Sequence, residues 1–558
     1  MNSPRTRRSL IALALAGVLV VTACGDDDDA GSDRTTADAA VTAADDTTAT
    51  AATAASAAPG ATAAESATTE PEAVPLDQVD RSATLRFAYG ISVSRLDPHR
   101  ATIRNDLTTL GPVYDRLVEF NPSGELVPML ATEWSFNADA TVLEMTLREG
   151  VVFHDGEPFD ADAVKANIER AKTLEGSTVA ADLVGVSSVE VVDDHHVRLL
   201  LTEPDVSILG ILSDRAGMIV SPAAFDEDLE AVAVGAGPFR LVEYRPGDVT
   251  VFERFDDYWD PDVALVQRLE IHVVPDANTR LNGLRGGQFD LINPTAAQYD
   301  EASSLPGFKV RTDPGLFAIN MGLNRTRSEF GDVLVRRAIY HAIDRESICQ
   351  AVLQGQCEVS VQPFPQGYWA ANPDITSDRY AHDPDRAREL LAEAGLPDGF
   401  SFTFMIPAAL PPYDAIGEVI QGQLADVGIR AELVLMEPAQ MADRYYVAKE
   451  TDAILGGLVG SADPSLYFGQ YTMPDAFANV SGDSTDTMQQ LYRESIATSD
   501  EAERTRIIHE GVEEVVDQVF FINIAFTKLI TAARENVVGF VMPVSGNPQF
   551  RGVGMTAG

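Results

Sequence analysis

The sequence predicts an α/β protein with two lobes and a ligand cleft between them. Two separate stretches follow the order strand, helix, strand, which implies parallel pairing and a right-handed crossover. Their predicted elements are 269–274, 276–284 and 289–292 in the first stretch, and 400–406, 413–427 and 429–435 in the second. A chain of 558 residues can hold two or more such domains. Because ligands prefer the interfaces between domains, we expect the binding site between the lobes.

The bulk composition excludes one class of partner. Apolar residues make up 45% of the chain, which is ordinary for a soluble globular protein. The formal net charge of -44 argues against binding to nucleic acid, whose phosphates require lysine and arginine. Much of this charge lies in an N-terminal tail, so it identifies no partner by itself.

The first 24 residues have the pattern of an export leader. Three arginines precede an apolar run over 10–21, which is too short to span an ordinary bilayer. The run ends in Val-Thr-Ala-Cys, which resembles a bacterial lipobox and implies that Cys24 becomes a lipid-bearing N-terminus. A plain signal peptide with an incidental cysteine is the alternative. Arg7-Arg8 also agrees with twin-arginine export.

Residues 25–80 predict a disordered tether. The segment is rich in Ala, Thr and Asp and lacks aromatic residues, so it cannot bury enough apolar surface to offset chain entropy. Repulsion between its acids extends it. The four consecutive aspartates at 26–29 suggest calcium, but nothing holds them in a cage, which favours a solvated spacer.

Folded sequence begins near Ser82. The patterning then predicts a strand over 84–89, a loop over 95–100, a helix over 106–118, strands within 124–147 and a hairpin over 189–201. Further along it predicts a hairpin over 239–254, helices over 333–352, 383–395 and 501–519, a strand and loop over 453–463, a strand over 520–525, and a return to the first lobe over 536–543.

The stretch 141–164 invites two interpretations. His154, Asp155 and Glu157 could form a catalytic or metal-binding cluster. Alternating apolar residues before them and an Asp-Gly pair among them instead predict a strand followed by a tight turn. Asp160 then caps a helix. We interpret the three polar residues as the tip of a structural turn.

Two other motifs have structural interpretations. Gly235-Ala236-Gly237 permits a close backbone approach, and it lacks the lysine and hydroxyl residue of a phosphate-binding P-loop. Asp344 and Arg345 are expected to form a polar pair near the end of a helix.

No motif predicts an enzyme, a metal site or a cofactor. The sequence contains neither Gly-x-Ser-x-Gly nor His-Glu-x-x-His, and the segment that begins at His509 ends in glutamate where the zinc motif needs histidine. His195 and His196 are neighbours on a predicted hairpin, so their side chains face opposite ways. Cys349 and Cys357 lie close in sequence, and an exported protein can bridge them; two buried thiols are the alternative.

Four stretches together resemble the family 5 extracellular solute-binding proteins, which include the dipeptide- and oligopeptide-binding components of ABC importers. They are Leu96-Asp97-Pro98, the run LREGVVFHDGEPFDADAV at 147–164, the glycines at 235 and 237, and the helix that carries RRAIYHAIDR at 336–345. The resemblance covers roughly residues 82–545. It implies a periplasmic-binding-protein-like fold of type II, similar to cluster C.

The resemblance also implies a domain order and a cellular setting. The expected segments are a leader over 1–24, a tether over 25–80, lobe I over 81–311 with an inserted subdomain over about 121–233, lobe II over 312–525, and a return to lobe I over 526–558. We expect a monomer that is lipid-anchored to the outer face of the cytoplasmic membrane, or held in the periplasm, and that works with the permease subunits of an ABC transporter.

In peptide-binding members two backbone segments flank the ligand like added strands. By resemblance, the ligand-binding residues here are Thr102, Ile103 and Arg104 in the first segment, and Gly457, Leu458, Val459, Ser461 and Asp463 in the second. Three family residues differ: tryptophan is replaced by Leu458, the aspartate that pairs with a peptide ammonium by Ser461, and an arginine of some oligopeptide binders by Leu455. Because a buried ammonium needs a carboxylate, either Asp463 substitutes or the ligand is not a peptide with a free N-terminus.

The sequence therefore predicts a substrate-binding lipoprotein that captures a peptide or peptide-like solute by hinge closure. A transporter component for a metal chelate, an oligosaccharide or an opine-like molecule is one alternative. A secreted hydrolase or a sensory partner protein is the other, and a hydrolase would need a nucleophile and a base in the cleft.

Overall fold

A computed structural model describes residues 76–460 and 463–557. Its strands are β1 (Thr84–Tyr89), β2 (Val118–Phe120), β3 (Leu126–Pro128), β4 (Ala131–Phe136), β5 (Val142–Leu147), β6 (Val186–Asp193), β7 (His196–Leu201), β8 (Phe239–Arg245), β9 (Val249–Arg254), β10 (Arg268–Val273), β11 (Leu291–Ile292), β12 (Phe308–Asp313), β13 (Phe317–Leu323), β14 (Cys357–Glu358), β15 (Ser401–Pro407), β16 (Arg430–Met436), β17 (Ala453–Val459), β18 (Phe521–Thr527), β19 (Leu529–Arg534), β20 (Val537–Val538) and β21 (Gly554–Met555).

The α-helices are also numbered in chain order. They are α1 (Leu107–Leu110), α2 (Ala161–Thr173), α3 (Ile208–Leu212), α4 (Ala277–Gly286), α5 (Tyr299–Ser303), α6 (Val333–Ala342), α7 (Arg345–Ala351), α8 (Pro384–Glu393), α9 (Tyr413–Asp426), α10 (Pro438–Ala442), α11 (Pro464–Tyr471), α12 (Asp486–Ala497) and α13 (Glu501–Asp517). Within residues 76–460 and 463–557, no helix has the length and apolar character needed to cross a bilayer.

Two large mixed sheets form the centres of the two lobes. The first has seven strands in the order β12-β19-β11-β1-β10-β9-β8, and the second has six in the order β14-β18-β13-β17-β15-β16. Both predicted strand–helix–strand units are present as parallel arrangements. β10 and β11 lie parallel to β1 on its two sides, whereas β15 and β16 pair directly.

The chain passes between the two sheets over very short connections. It leaves the first sheet after Asp313 and joins the second at Phe317, and it returns with only Lys528 between β18 and β19. The two connections lie side by side, because a Cβ atom placed on Gly315 would be 2.9 Å from the carbonyl oxygen of Thr527. This strip of backbone is the mechanical link between the lobes.

A four-stranded antiparallel sheet in the order β4-β5-β7-β6 forms a separate layer within the first lobe. Helix α2 packs on it through Val164 and Ile168, which are fully buried. The side chain of Asp160 accepts a hydrogen bond from the backbone of Ala163, which confirms the predicted cap. The predicted hairpin is also confirmed as β6 and β7.

Two predicted helices are wrong in extent. The helix expected over 106–118 is only α1, because Gly111-Pro112 follows it and the chain then enters β2. The helix expected over 333–352 breaks into α6 and α7, since the side chain of Asp344 caps the second helix by accepting from the backbone of Ser347. Arg345 does not pair with Asp344; its guanidinium donates to the carbonyl oxygen of Tyr380.

Candidate ligand-binding site

The polar turn at 153–159 is structural. His154 donates from its backbone to the carbonyl of Gly235 and lies with Nε2 2.9 Å from the carbonyl oxygen of Gly237. Burial lowers the pKa of His154 to about 4, so the ring is neutral at pH 7. Asp155 accepts from the hydroxyl of Ser221. The interpretation as a turn is confirmed, and the turn holds the glycine-rich segment in place.

The glycine-rich segment needs its glycines for packing. A Cβ atom on Gly235 would lie 2.2 Å from the carbonyl oxygen of Val113, and one on Gly237 would lie 2.6 Å from that of Pro112. The two backbones are also hydrogen-bonded, with the N–H of Gly237 donating to Val113. The expected close backbone approach is therefore present.

The first predicted ligand segment is presented by a loop that Asp106 organises. This fully buried carboxylate accepts hydrogen bonds from the backbone and hydroxyl of Ser94 and from the backbone of Ile103. Burial raises the pKa of Asp106 despite these bonds. The backbone of Thr102 in turn donates to the hydroxyl of Ser94. The loop therefore holds residues 102–104 at the edge of lobe I.

The second predicted segment lies at the end of β17, beside β13. A Cβ atom on Gly457 would lie 2.1 Å from Cζ of Phe317, and one on Gly460 would lie 2.7 Å from Cβ of Leu316. Leu458 is 5% exposed and belongs to the core of lobe II, as does the fully buried Leu455. The backbone of Val459 pairs with that of Phe317. Ser461 lies outside the described residues, as do Cys24 and the leader.

Arg104 connects the two segments. Its Nη1 donates to the carbonyl oxygen of Gly460 at 3.1 Å, and its Nε lies 3.5 Å from a carboxylate oxygen of Asp214. Burial opposes ionisation of Asp214, but the charges of Arg104 and Arg215 outweigh it and hold the pKa of that carboxyl below its usual value. The structure thus brings the two sequence-predicted segments together across the boundary between the lobes.

Asp463 is engaged within lobe II. Both of its carboxylate oxygens lie 2.7 Å from Nη2 of Arg504, and one also accepts from the backbone of Ser465 at the start of α11. The side chains of Asp463 and Arg504 are 7% and 15% exposed. Gly210 of α3 packs against Asp463, where an added Cβ atom would lie 2.8 Å from the Cβ atom of Asp463. The residue is therefore at the lobe boundary, but its carboxylate is not free.

A cavity lies in lobe I next to the Arg104 contact. Its volume is about 50 Å³. Its lining comes from residues before and after α1, from 213–214 and 238–239, from the connection at Leu316 and from the C-terminal segment 543–551. Polar side chains in this lining include those of Arg104, Arg116, Glu119, Asp214 and Asn547.

The sequence did not reveal Arg116, Asp214 or Asn547 as site residues. Gly546-Asn547-Pro548 has the composition of a turn, but a turn signal says nothing about which surface the asparagine faces. Arg116 and Asp214 lie in short irregular segments without a motif. Only the fold brings these distant parts of the chain around one cavity.

Cys349 and Cys357 are joined by a disulfide with an S–S distance of 1.93 Å. In the described part of the chain, no three His, Cys, Asp or Glu side chains are grouped so that they could hold a metal ion. His196 pairs with Asp193 at the exposed hairpin and not with His195.

Comparisons with known proteins agree with this geometry. Residues 125–479 match the bacterial extracellular solute-binding proteins, family 5. The chain is 26% identical over 476 residues to the glutathione-binding protein GsiB of Escherichia coli strain K12, a match that covers 82% of this chain and 92% of that protein. It is 28% identical over 475 residues to heme-binding protein A of Haemophilus influenzae, covering 79% and 86% of the two chains.

Among solved structures, the periplasmic binding protein DppA of Helicobacter pylori in complex with the peptide STSA matches with a TM-score of 0.71. The sequences are 25% identical, and the match covers 86% of this chain and 99% of that one. Such proteins are two-lobed and bind solutes for ABC transport; they are not enzymes. The chain described here belongs to the family 5 extracellular solute-binding proteins.

Proposed function

We propose that this protein captures a peptide or peptide-like solute between its lobes and delivers it to the permease of an ABC importer. The observation that carries this proposal is the contact of Arg104 with Gly460. It places the two segments that would flank a peptide on opposite sides of the same boundary. Backbone groups at such edges can pair with an extended ligand as an added strand does.

The proposed ligand-binding residues are Thr102, Ile103 and Arg104 from lobe I and the segment 457–463 from lobe II. Within that segment, Gly457 and Leu458 contribute backbone groups, since Leu458 buries its side chain in the core. Asp463 can receive a ligand ammonium only by sharing its carboxylate with Arg504. The proposal therefore depends on backbone groups and Arg104 more than on Asp463.

The two lobes touch one another at this boundary in the structure. The cavity of about 50 Å³ is several times the 10–15 Å³ that one water needs, but it is below the roughly 300 Å³ of a pocket for a whole small-molecule ligand. The backbone of Val206 in lobe I also donates to the carbonyl of Ile496 in lobe II. A peptide can enter only when these contacts separate, so binding is coupled to a hinge motion.

The test is a binding experiment on the full chain purified in detergent. Native mass spectrometry of protein from its own host identifies any solute that copurifies, and calorimetry then measures its affinity. Arg104→Ala should weaken binding by about tenfold to a hundredfold, the loss expected for one charged hydrogen-bonding group. Arg95→Ala is the matched control, since Arg95 lies in the same loop but pairs at the surface with Glu230.

Different results separate the candidate solutes. Copurified short peptides whose affinity falls in Arg104→Ala support the proposal. If a haem or another non-peptide species copurifies instead, the transport role stands but the solute is not a peptide. Haem is a candidate because one relative is named heme-binding protein A. Equal affinities in Arg104→Ala and Arg95→Ala would show that the lobe contact does not hold the ligand.

The proposed setting is the outer face of the cytoplasmic membrane, with a monomer anchored through lipid on Cys24 and separated from the bilayer by the acidic tether. Two acyl chains on one cysteine suffice for stable anchoring. Cys24→Ala should release the protein into the soluble fraction or the medium. Continued retention of this variant on membranes would exclude the lipid anchor.

A further inference from the structure

A second contact between the lobes lies outside the two connections. The backbone N–H of Val206, just before α3, donates to the carbonyl oxygen of Ile496 near the end of α12 at 2.7 Å. Gly210 within α3 packs on the start of α11, where an added Cβ atom would lie 2.8 Å from Cβ of Asp463 and 3.4 Å from Cδ1 of Leu466. Because these helices do not belong to the connecting strip, rotation of the lobes about that strip moves them apart.

The lobe I side of this contact is ordered by its own lobe. Ile208 and Leu212 of α3 are buried in the core of the four-stranded layer. The turn before the helix is held by Asp205, whose Oδ1 accepts from the backbone and the hydroxyl of Ser207 at 3.0 and 2.5 Å. The backbone of Asp205 donates to the carbonyl oxygen of Ala140. The segment is therefore preformed, so little ordering entropy is lost when it meets lobe II.

The lobe II side is ordered as well, by the ion pair of Asp463 with Arg504 at the start of α11. The charge of this pair also reaches across the boundary. Burial raises the pKa of Asp205 against the hydrogen bonds from Ser207, the charge of Asp463 adds to the rise, and the charge of Arg504 opposes it. The guanidinium thus acts on a carboxylate of each lobe.

We infer that the segment 204–210 is a latch, which seats on α11 and α12 and sets the ratio of closed to open molecules. Its contacts join protein to protein, so they act on the empty and the loaded protein alike. A solute that bridges the lobes then has to supply only the part of the closing free energy that the latch does not. This inference rests on the proposed function, because closing matters for a protein that captures its solute between the lobes.

Gly210→Ala tests the latch, because the added methyl group collides with lobe II only when the lobes meet. The three atoms nearest to the added Cβ atom all belong to Asp463 and Leu466. Forcing a methyl group into such a contact weakens it by about fivefold to a hundredfold. Alanine favours a helix more than glycine does, so α3 itself is not weakened. Gly286→Ala in α4 is the matched control, since nothing in the described part of the chain comes within 4 Å of its added Cβ atom.

The measurement is hydrogen exchange of the full chain in detergent without added solute, read by mass spectrometry with fragmentation to single residues. The amide of Val206 bonds across the boundary, so it exchanges whenever the lobes part, and its protection reports the ratio of closed to open molecules. The neighbouring amide of Asp205 bonds to Ala140 within lobe I and serves as the internal reference.

Both amides should be protected in the wild type. Gly210→Ala should lower the protection of Val206 by about tenfold and leave that of Asp205 unchanged, whereas Gly286→Ala should change neither. Leu466→Ala, which removes the apolar partner from lobe II, should also lower the protection of Val206 alone. An unprotected Val206 in the wild type, or equal protection of Val206 in the two glycine variants, would overturn the latch. So would an equal loss at Asp205 and Val206 in Gly210→Ala, because it would mean that α3 unfolds rather than that the lobes part.

The experiment separates the latch from the proposed function because it needs no solute. If no peptide binds and the amide of Val206 behaves as expected, the latch stands and the solute is of another kind. If peptides bind and Arg104→Ala weakens them while Val206 exchanges freely, the proposed function stands and the latch is refuted.

Discussion

The buried ion pair between Arg504 and Asp463 gives the sharpest test of how lobe II is held together. Replacing Arg504 with methionine keeps the aliphatic length of the side chain and removes its charge. Within residues 76–460 and 463–557, the carboxylate of Asp463 would then keep only the backbone N–H of Ser465 as a hydrogen-bond partner. Removing one member of a buried pair costs about 3–5 kcal/mol. We take the lower end, about 3 kcal/mol, because the capping hydrogen bond survives.

This free energy converts to a measurable melting shift. A domain of 150–250 residues loses about 2–4 °C for each kcal/mol, so Arg504→Met should lower the lobe II transition by about 6–12 °C in differential scanning calorimetry. Arg386→Met is the matched control. Arg386 pairs with Glu389 and Glu393 on the exposed face of α8, and its loss should shift the transition by no more than about 2 °C.

A second variant separates charge from packing. Adding Asp463→Asn to Arg504→Met removes the uncompensated charge, and asparagine can still cap α11. The double variant should recover at least half of the lost stability. The buried charge pair does not stabilise lobe II in this way if Arg504→Met melts like Arg386→Met, or if the double variant melts no higher than the single one.

Three further results are expected. Burial, together with the nearby charge of Arg170, lowers the pKa of His99 to about 4, so below pH 6.5 the unfolded chain binds a proton that the folded chain does not. In urea unfolding, the wild type should therefore lose up to about 3 kcal/mol of stability relative to His99→Gln between pH 6.5 and 4. A stability difference that stays constant over this pH range would contradict the prediction. Replacing both Cys349 and Cys357 with serine should cost about 2–3 kcal/mol in the same assay, and non-reduced mass spectrometry should find the two residues in one linked peptide. Gly422→Ala should stabilise α9 by about 0.5–1 kcal/mol, because no atom lies within 4 Å of the added methyl group. Gly417→Ala in the same helix should not stabilise it, since the added Cβ atom would lie 2.0 Å from the side chain of Ile406. Equal changes in the free energy of unfolding would show that packing does not decide whether the substitution stabilises the helix.

Local sequence patterns predicted most of the elements because their causes are local. Asp383 and Pro384 start α8 as expected, with the aspartate accepting from the backbone of Arg386, and Gly395 follows its end with φ at +82°. β15, α9 and β16 begin and end within one or two residues of their predicted bounds. Caps, turn residues and apolar periodicity are all set within a few residues, so they can be read without knowing the fold.

The errors have equally specific causes. The helix expected over 106–118 fails at a local signal that the prediction passed over, because Gly111-Pro112 ends it. Val113 then packs on the glycine-rich segment far along the chain. Asp344 was expected to pair with Arg345 because the two are adjacent, yet burial places the guanidinium against backbone carbonyls instead. The two proposed ligand segments followed from the resemblance, but the cavity beside the first of them is lined in part by residues 543–551, which only the fold brings there.

The two connections at 314–316 and at Lys528 lie against one another, so they act as a single pivot line rather than as two independent tethers. Sliding of the lobes past one another would stretch both connections at once, whereas rotation about the line stretches neither. Rotation about this line is therefore the relative motion of the lobes that the two connections resist least. A solute that bridges them must freeze only this rotation. Contacts across the boundary, such as that of Arg104 with Gly460, act on this one rotation.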